Sequence, residues 1–269
     1  MESADKYALV TGASSGIGWH FSEELARRGY SVIAISNQPD RLAALKSNLE
    51  GQYPVTVRIL DTGLDRAESP ETVIRFCSDN NIEPEVVVNN AGMFFFGEIT
   101  TIDHERMRSM LNLHMLTPAL LCRHFGRQMA RKGCGYILNV SSITTVMPYP
   151  GISVYAPTKA FLRHFSRSFR TEMKLDNVNV TCLIPGATDT SLYDKGSLNI
   201  SRLRKLGLLK KPEDVARSGI NALFAKRAEY IPGIINKLAL FIIPVIPRFV
   251  IEYITRNTTI IRKKKDISN

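Results

Sequence analysis

The sequence predicts an α/β fold built on a doubly wound parallel sheet. Six short apolar runs recur along the chain: "YALVTG", "SVIAIS", "VTVRIL", "EVVVNNAG", "GYILNVSS" and "VNVTCLIPG". Each later run follows a stretch long enough for a crossover helix. Continuous apolar strands separated by helices are typical of a parallel sheet covered on both faces. Because such crossovers are right-handed, the sheet is expected to wind in both directions from its first strand.

Chain length predicts one domain with an appendage. A chain of 269 residues with 44% hydrophobic content can bury one large core. We expect residues 1–233 to form this domain. Residues 234–269 are rich in Ile, Leu, Pro, Lys and Arg, and we expect them to form a C-terminal extension.

Composition narrows the class of protein. The four cysteines are widely spaced and form no CxxC pair, which indicates reduced thiols and neither a metal site nor a disulfide framework. The N-terminal apolar run stops at Gly12, so it does not resemble a secretory signal, and we expect a cytoplasmic protein. The net charge of +10 favours an anionic partner, and for this chain we predict a small molecule and no nucleic acid.

A glycine-rich loop follows the first predicted strand. "TGASSGIG" has glycines at positions 12, 16 and 18 and leads into an amphipathic helix. Glycine allows the backbone to turn tightly beside a pyrophosphate, whose charge is met by N–H groups at the helix N-terminus. The spacing GxxxGxG departs from the GxGxxG fingerprint, and a simple tight turn is the alternative. Its position in the first β-α unit favours a dinucleotide site and a Rossmann-type fold.

The end of the second predicted strand bears on the choice of cofactor. Acidic residues there bind a free ribose 2′-hydroxyl, whereas a 2′-phosphate requires a polar or basic site. Neither Ser36 nor Asn37 is acidic, and Asp40 is expected within the next helix. NADP(H) is therefore favoured and NAD(H) is the alternative, since no arginine occupies position 37 either. Asp61, which ends the third strand, is predicted to bind adenine or to cap the strand.

Tyr155 and Lys159 form the candidate proton-transfer pair. Tyrosine has an ordinary pKa near 10, and a nearby ammonium favours the phenolate. Residues four apart on a helix share a face, so the two side chains are expected to form one site. Pro157 between them disfavours helical geometry at Ala156, which predicts that the helix begins at about this proline. An isolated YxxxK pattern is short, and an ordinary surface helix is the alternative.

Ser142 strengthens the interpretation as an active site. It follows an apolar strand thirteen residues before Tyr155, at the sheet edge where open α/β folds bind ligands. A hydroxyl there can hydrogen-bond a substrate carbonyl and hold it near the tyrosine. The neighbouring Ser141 is expected to point to the opposite face, because side chains alternate along a strand.

Together these motifs resemble the short-chain dehydrogenase/reductase family. "TGASSGIG", "NNAG", Asn112 in "MLNLHM", Ser142, the Tyr155/Lys159 pair and "PGATDT" occur in the family's order over residues 6 to about 233. The resemblance implies hydride transfer between a nicotinamide cofactor and a carbonyl or secondary alcohol, with Tyr155 as general acid/base, Lys159 as ribose binder and Ser142 as substrate orienter. It also implies that Asn112 holds a water of the proton relay, although a polar residue that bends its helix is the alternative.

The predicted cofactor-binding residues lie after several strands and on the helix of Tyr155 and Lys159. They are Gly12, Ser14, Ser15, Gly16, Ile17, Gly18, Asn37, Asp61, Asn90, Ala91, Gly92, Tyr155, Lys159, Pro185, Gly186, Thr188 and Thr190. The family resemblance also implies a homo-oligomer, either a dimer or a tetramer. A sensor that binds NADP(H) without turnover and a membrane-surface scaffold are the alternatives to an enzyme.

Apolar segments around the site predict a hydrophobic substrate, such as a 3-oxoacyl thioester, a steroid or a keto lipid. The candidate pocket residues are Phe94, Tyr149, Leu192 and Tyr193. The extension is similar to those of family members that act on steroids and long acyl chains. Its ten-residue apolar run "LALFIIPVIP" is too short to span a bilayer, and a basic segment at 262–265 follows. Peripheral membrane contact, packing on the substrate loop and contact with another subunit are the three hypotheses for it.

Overall fold

The architecture is that of a computed structural model, which describes residues 6–146, 150–190, 192, 209–247, 249–250 and 252–253. Its strands form one parallel sheet in the order β3-β2-β1-β4-β5-β6-β7. The strands are β1 (Tyr7–Thr11), β2 (Ser31–Ser36), β3 (Val57–Asp61), β4 (Val86–Asn89), β5 (Gly135–Val140), β6 (Val178–Leu183) and β7 (Glu229–Tyr230). Successive strands are added on one side of β1 up to β3 and on the other side from β4 onward, which confirms the predicted doubly wound fold. All six predicted strands are present.

Helices cover both faces of this sheet. They are α1 (Gly16–Ala26), α2 (Pro39–Gln52), α3 (Ser69–Asp79), α4 (His104–Leu111), α5 (Thr117–Lys132), α6 (Tyr155–Met173), α7 (Pro212–Phe224) and α8 (Ile234–Ile242). Two apolar clusters result, one per face. Along β1, for example, Val10 belongs to one cluster and Leu9 to the other.

The helical region between β4 and β5 contains an irregular turn. A π-helical turn at Asn112–Leu116 separates α4 from α5, and Thr117 N–H donates to the Asn112 carbonyl oxygen across it. Such a turn widens the helix and redirects the side chains on it. It places the buried His114 toward the active-site side of α6, where it contacts Tyr155.

Helix α6 begins earlier than the sequence predicts. It starts at Tyr155, and the Ala156 N–H donates to Ile152 O at 3.0 Å. The expectation that Ala156 precedes the helix was wrong. Pro157 occupies the third helical position, where its missing N–H is one that a first turn leaves without an intrahelical partner. Tyr155 and Lys159 therefore lie on one regular helix, one turn apart.

The C-terminal segment begins on the edge of the domain core. Gly233 has a φ of +88° and leads from β7 into α8. Leu240 of α8 is buried against Ile143, Cys182 and Ile184. The division of the chain at residue 233 stays a prediction, but the start of the extension is packed against the domain.

Candidate active site

A cavity of about 410 Å³ lies at the carboxyl edge of the sheet. The ends of β1, β2, β4, β5 and β6 meet there, as the parallel topology requires. Most of the predicted site residues line it: Gly12, Ser14, Ser15, Gly16, Ile17, Asn37, Asn90, Ala91, Gly92, Phe94, Ser142, Tyr155, Lys159, Pro185, Gly186, Thr188, Thr190 and Leu192. Residues that are distant in the sequence are thus brought to one concave surface.

The glycine-rich loop can accept close approach of an anionic group. Gly12 and Gly16 have φ values of +65° and +54°, which disfavour other residues. A Cβ at Gly12 would lie 2.9 Å from Ala91 Cα, and one at Gly16 would lie 2.9 Å from Thr190 Cγ2. The first turn of α1 carries no acidic residue, so its N–H groups present positive potential to the cavity.

Hydrogen bonds fix the loop to the neighbouring strand. Thr11 Oγ1 donates to Val88 O and accepts from the backbone N–H groups of Asn90 and Ala91 at 2.9 and 3.0 Å. The Asn90 side-chain amide donates to Thr11 O at 3.0 Å. These bonds position "NNAG" beside the phosphate loop, so this part of the cavity wall is preorganised by hydrogen bonds between side chains and backbone.

Tyr155 and Lys159 are both buried at the cavity, each 5% exposed. The Lys159 ammonium donates to Val140 O at 3.0 Å and lies 5.9 Å from the centroid of the Tyr155 ring. Burial lowers the pKa of Lys159 to about 8. The group is therefore still mostly protonated at neutral pH, and its charge lies beside the tyrosine in a site of low polarity.

The two serines after β5 differ in their partners. Ser142 Oγ lines the cavity and accepts the Thr144 N–H at 3.2 Å, which leaves its hydroxyl proton for donation. Ser141 Oγ instead donates to the carbonyl oxygen of Lys159 at 2.7 Å. Ser142 thus faces ligand space, while Ser141 ties β5 to α6.

Three predicted residues have other positions. Gly18 lies under the loop, where a Cβ would overlap the Gly12 carbonyl oxygen, so it is required for packing. Asp61 is exposed and is not among the residues that line the cavity. The Asn112 side chain donates to Asp65 O at 3.0 Å and also lies outside the cavity lining. Tyr149 and Tyr193 fall outside the described residues.

Sequence reasoning missed several residues of the site. Thr62, Asp65 and Gln38 line the cavity next to the predicted residues. Their proximity to the ends of β2 and β3 was the available signal. His114 and Thr158 were also missed, although His114 lies within the quoted motif "MLNLHM" and Thr158 lies between Tyr155 and Lys159.

Aromatic residues form one wall of the site. The Phe94 ring lies edge-on to Tyr155, with 4.9 Å between centroids, and Phe94 lines the cavity. Phe95 is buried in an apolar cluster with Met110, Ile152 and Tyr155. Phe94 is therefore placed where it can contact a substrate in the cavity, as predicted, whereas Phe95 is a core residue.

The site as a whole fits a nicotinamide dinucleotide. The loop at Gly12 and Gly16 excludes side chains at the place where a pyrophosphate requires close backbone approach. Asn90 and Gly186 continue the same surface toward Tyr155 and Lys159. The cavity therefore joins an anion-binding helix N-terminus to a buried proton-transfer pair.

Residues 6–199 match the family model of the short chain dehydrogenases. The chain belongs to this family of oxidoreductases, whose members bind a nicotinamide cofactor. Among the described residues, no group of three or more His, Cys, Asp or Glu could hold a metal ion.

Curated relatives are similar at about 30% identity. "Very-long-chain 3-oxoacyl-CoA reductase-A" of Danio rerio is 30% identical over 67% of this chain and 57% of its own length. "Uncharacterized oxidoreductase YmfI" of Bacillus subtilis is 30% identical over 85% of this chain and 95% of its own length. The first match thus spans little more than half of that relative.

Solved structures share the fold over most of the chain. A short-chain dehydrogenase from Sphingobium yanoikuyae in complex with NADPH has a TM-score of 0.79 at 24% identity and covers 94% of this chain and 96% of its own. L-sorbose reductase from Gluconobacter frateurii, complexed with NADPH and L-sorbose, has a TM-score of 0.76 at 26% identity, covering 84% of this chain and 94% of its own.

Proposed function

We propose that this oxidoreductase is an NADP(H)-dependent carbonyl reductase or alcohol dehydrogenase that acts on a hydrophobic substrate. The observation that carries the proposal is the meeting of Ser142, Tyr155 and Lys159 at one end of a cavity whose other end is the glycine-rich loop. Hydride transfer requires both ends of the cavity. The glycine-rich loop would hold the cofactor, which supplies or accepts the hydride at its nicotinamide ring, and the other end would hold the reacting group of the substrate.

The chain's own residues would handle orientation and proton transfer. The Ser142 hydroxyl would donate a hydrogen bond to the substrate carbonyl oxygen. Tyr155 would deliver a proton to that oxygen in reduction, or remove it in oxidation. The Lys159 ammonium stabilises the phenolate form of Tyr155 and would bind the cofactor ribose.

A small cavity behind Lys159 supports a route for the proton. It measures about 10 Å³ and is lined in part by Lys159, Asn89, His114 and Thr117. This size fits a single water molecule. The predicted relay role of Asn112 stays a prediction, because its side-chain amide is used on Asp65 O.

The preference for NADP(H) is supported by the end of β2. Ser36 Oγ donates to Ser14 Oγ at 2.8 Å, and Asn37 lines the cavity, so no carboxylate is offered to a ribose 2′-hydroxyl at these two positions. The NADPH-bound L-sorbose reductase is in line with this preference.

The hydrophobic substrate is supported by the wall around Tyr155. Phe94 lines the cavity beside Tyr155, and Leu192 adds a second apolar side chain to the cavity lining. The similarity to very-long-chain 3-oxoacyl-CoA reductases favours an acyl thioester within the proposed group, with steroids and keto lipids as the other candidates.

The test is a screen of acyl thioesters, steroids and keto lipids with NADPH and NADH side by side. We expect turnover of at least one class with a higher kcat/KM for NADPH. Tyr155→Phe should reduce kcat by about 10² to 10⁴-fold, since it removes the general acid. Full activity of this variant with a true substrate would refute the assigned mechanism.

We further propose that α8 and the residues after it contact an anionic membrane surface. Of the twelve large apolar side chains exposed in the described part of the chain, eight lie between residues 234 and 253: Ile234, Ile235, Leu238, Phe241, Ile242, Val245, Phe249 and Tyr253. The sequence adds basic residues at 248, 256 and 262–265, which complement anionic lipid. In the described ranges, no helix is long and apolar enough to cross a membrane.

Contact at α8 would bring the cavity close to lipid. Asn236 of α8 packs against Gly186, where a Cβ would lie 2.5 Å from its side-chain nitrogen, and Gly186 lines the cavity. Leu240, one turn further along the same face of α8, is buried against the core. A hydrophobic substrate dissolved in the bilayer would then have a short path to Tyr155.

Vesicle flotation of the full chain tests this contact. We expect binding to phosphatidylcholine vesicles that contain phosphatidylserine, and loss of binding in the triple variant Leu238→Ser, Phe241→Ser, Val245→Ser. Leu175→Ser, which changes a leucine exposed elsewhere, is the matched control. If the wild type does not bind these vesicles and the triple variant differs from it only in oligomeric state, α8 is a subunit contact instead.

A further inference from the structure

A buried histidine without an assigned role contacts the active-site tyrosine. His114 is 1% exposed, and its ring lies edge-on to Tyr155 with 5.6 Å between centroids. A Cβ at Gly92 would lie 3.3 Å from His114 Nε2 and 3.7 Å from Lys159 Nζ. The imidazole therefore sits between the cofactor loop and the proton-transfer pair.

Each nitrogen of this imidazole has one partner. Nε2 accepts the backbone N–H of Met93 at 3.0 Å, and Nδ1 lies 2.9 Å from Thr158 Oγ1. The Thr158 hydroxyl has a single proton, and it donates this proton to the carbonyl oxygen of Tyr155 at 2.7 Å. Thr158 must therefore accept from His114, which assigns the neutral tautomer with the proton on Nδ1.

The resulting chain of bonds joins three separate segments. It runs from the Met93 N–H through His114 on the π-helical turn to Thr158, and ends at the backbone of Tyr155. Burial, with a smaller contribution from the Lys159 charge, holds the pKa of His114 well below its usual range. A charged imidazole could not accept from Met93, so the neutral form is also the one that the geometry requires.

We infer that His114 and Thr158 are positioning residues that hold Tyr155 in register with the cofactor loop at Gly92 and Met93. The inference rests on the proposed function of the site and adds two residues that act through Tyr155. A displacement of about 1 Å at a reacting group can reduce turnover about 10²-fold, so a link of this kind affects the chemical step.

Substitutions that remove one link at a time test the inference. Thr158→Val removes the hydroxyl at almost constant volume, and His114→Phe removes both nitrogens but keeps a ring against Tyr155. We expect each to reduce kcat at least 10-fold with a smaller change in KM for the cofactor. The double variant should be no slower than the slower single variant, because the two residues form one chain.

Two further variants separate positioning from stability. Thr158→Ser restores the hydroxyl and should recover most of the lost kcat. Thr181 lies in β6, away from the cavity, and its buried hydroxyl donates to Arg227 O. Thr181→Val removes this hydroxyl and should lower the unfolding midpoint without a comparable loss of kcat. Equal losses in Thr158→Val and Thr181→Val, or additive losses in the double variant, would show that His114 and Thr158 are merely structural.

Nuclear magnetic resonance of the wild-type chain labelled with ¹⁵N-histidine tests the geometry without an activity assay. The protein has five histidines, and the signal of His114 is assigned in the wild type by its nuclear Overhauser contacts with the Tyr155 ring. We expect a neutral ring protonated at Nδ1 throughout pH 6–8, with altered shifts in Thr158→Val. A ring protonated at Nε2 or charged at pH 7 would overturn the inference, even if the variants fail to fold. Absence of any carbonyl turnover in the wild type would instead count against the proposed function.

Discussion

Helices α6 and α8 depart in opposite ways from the usual pattern, in which polar side chains are exposed and apolar side chains are buried. Helix α6 buries polar groups, including Thr158, Lys159 and Ser166. Helix α8 exposes apolar groups and buries only Leu240 among its described residues. Buried charge and exposed apolar surface both cost free energy, so each is expected where a ligand or partner interacts. The difference indicates that α6 serves chemistry inside the domain and α8 serves contact outside it.

Removal of the buried charge should give the largest effect. We expect Lys159→Met to reduce kcat by about 10² to 10⁴-fold, because Tyr155 loses the ammonium that favours its phenolate. Steady-state kinetics with the best carbonyl substrate would measure this loss. Lys174→Met, which changes an exposed lysine just after α6, is the control and should stay near wild-type activity. Comparable activity of the two variants would remove α6 from the proposed mechanism.

Substitution of two leucines in α8 should show that only one side of this helix contributes to stability. Leu240 is 9% exposed and packs on the core, whereas Leu238 is 55% exposed. Leu240→Ala should lower the free energy of unfolding by about 2–3 kcal/mol, because it removes packed methyl groups. Leu238→Ala should change it by less than about 0.5 kcal/mol. Urea unfolding of both variants measures the difference, and equal losses would mean that α8 buries both sides.

The pH dependence of stability should report the buried ammonium. The pKa of Lys159 falls from 10.5 to about 8 on folding, so the unfolded chain binds more protons between these values. Stability should therefore rise with pH through this window. From pH 7.5 to pH 10, the wild type should gain about 2 kcal/mol relative to Lys159→Met, measured by urea unfolding. Parallel curves for the two proteins would contradict the lowered pKa.

Features that depend on neighbouring residues could be predicted from the sequence, whereas contacts between distant residues could not. The six strands and the order of the motifs follow from local apolar runs and glycine spacing, and the pair at Tyr155 and Lys159 follows from helical periodicity. The link between His114 and Thr158 depends on hydrogen bonds between residues 44 positions apart, which no spacing encodes.

Other differences have equally local causes. Pro157 predicted a later helix start, but the first turn of α6 requires no N–H at that position, so the helix begins at Tyr155. Asp61 ends β3 as predicted, yet it is exposed and Thr62 lines the cavity instead. The two-residue strand β7 is too short for an alternation pattern, and it joins the sheet through pairing with β6.

Transfer of deuterium from cofactor to substrate tests the central claim most directly. The wild-type chain would be incubated with NADPH labelled with deuterium at C4 on the transferred face and with the best ketone from the screen, and the product analysed by mass spectrometry. The account predicts one deuterium on the former carbonyl carbon, formed about 10² to 10⁴-fold more slowly by Tyr155→Phe. Product without deuterium, or equal rates in the two proteins, would contradict it.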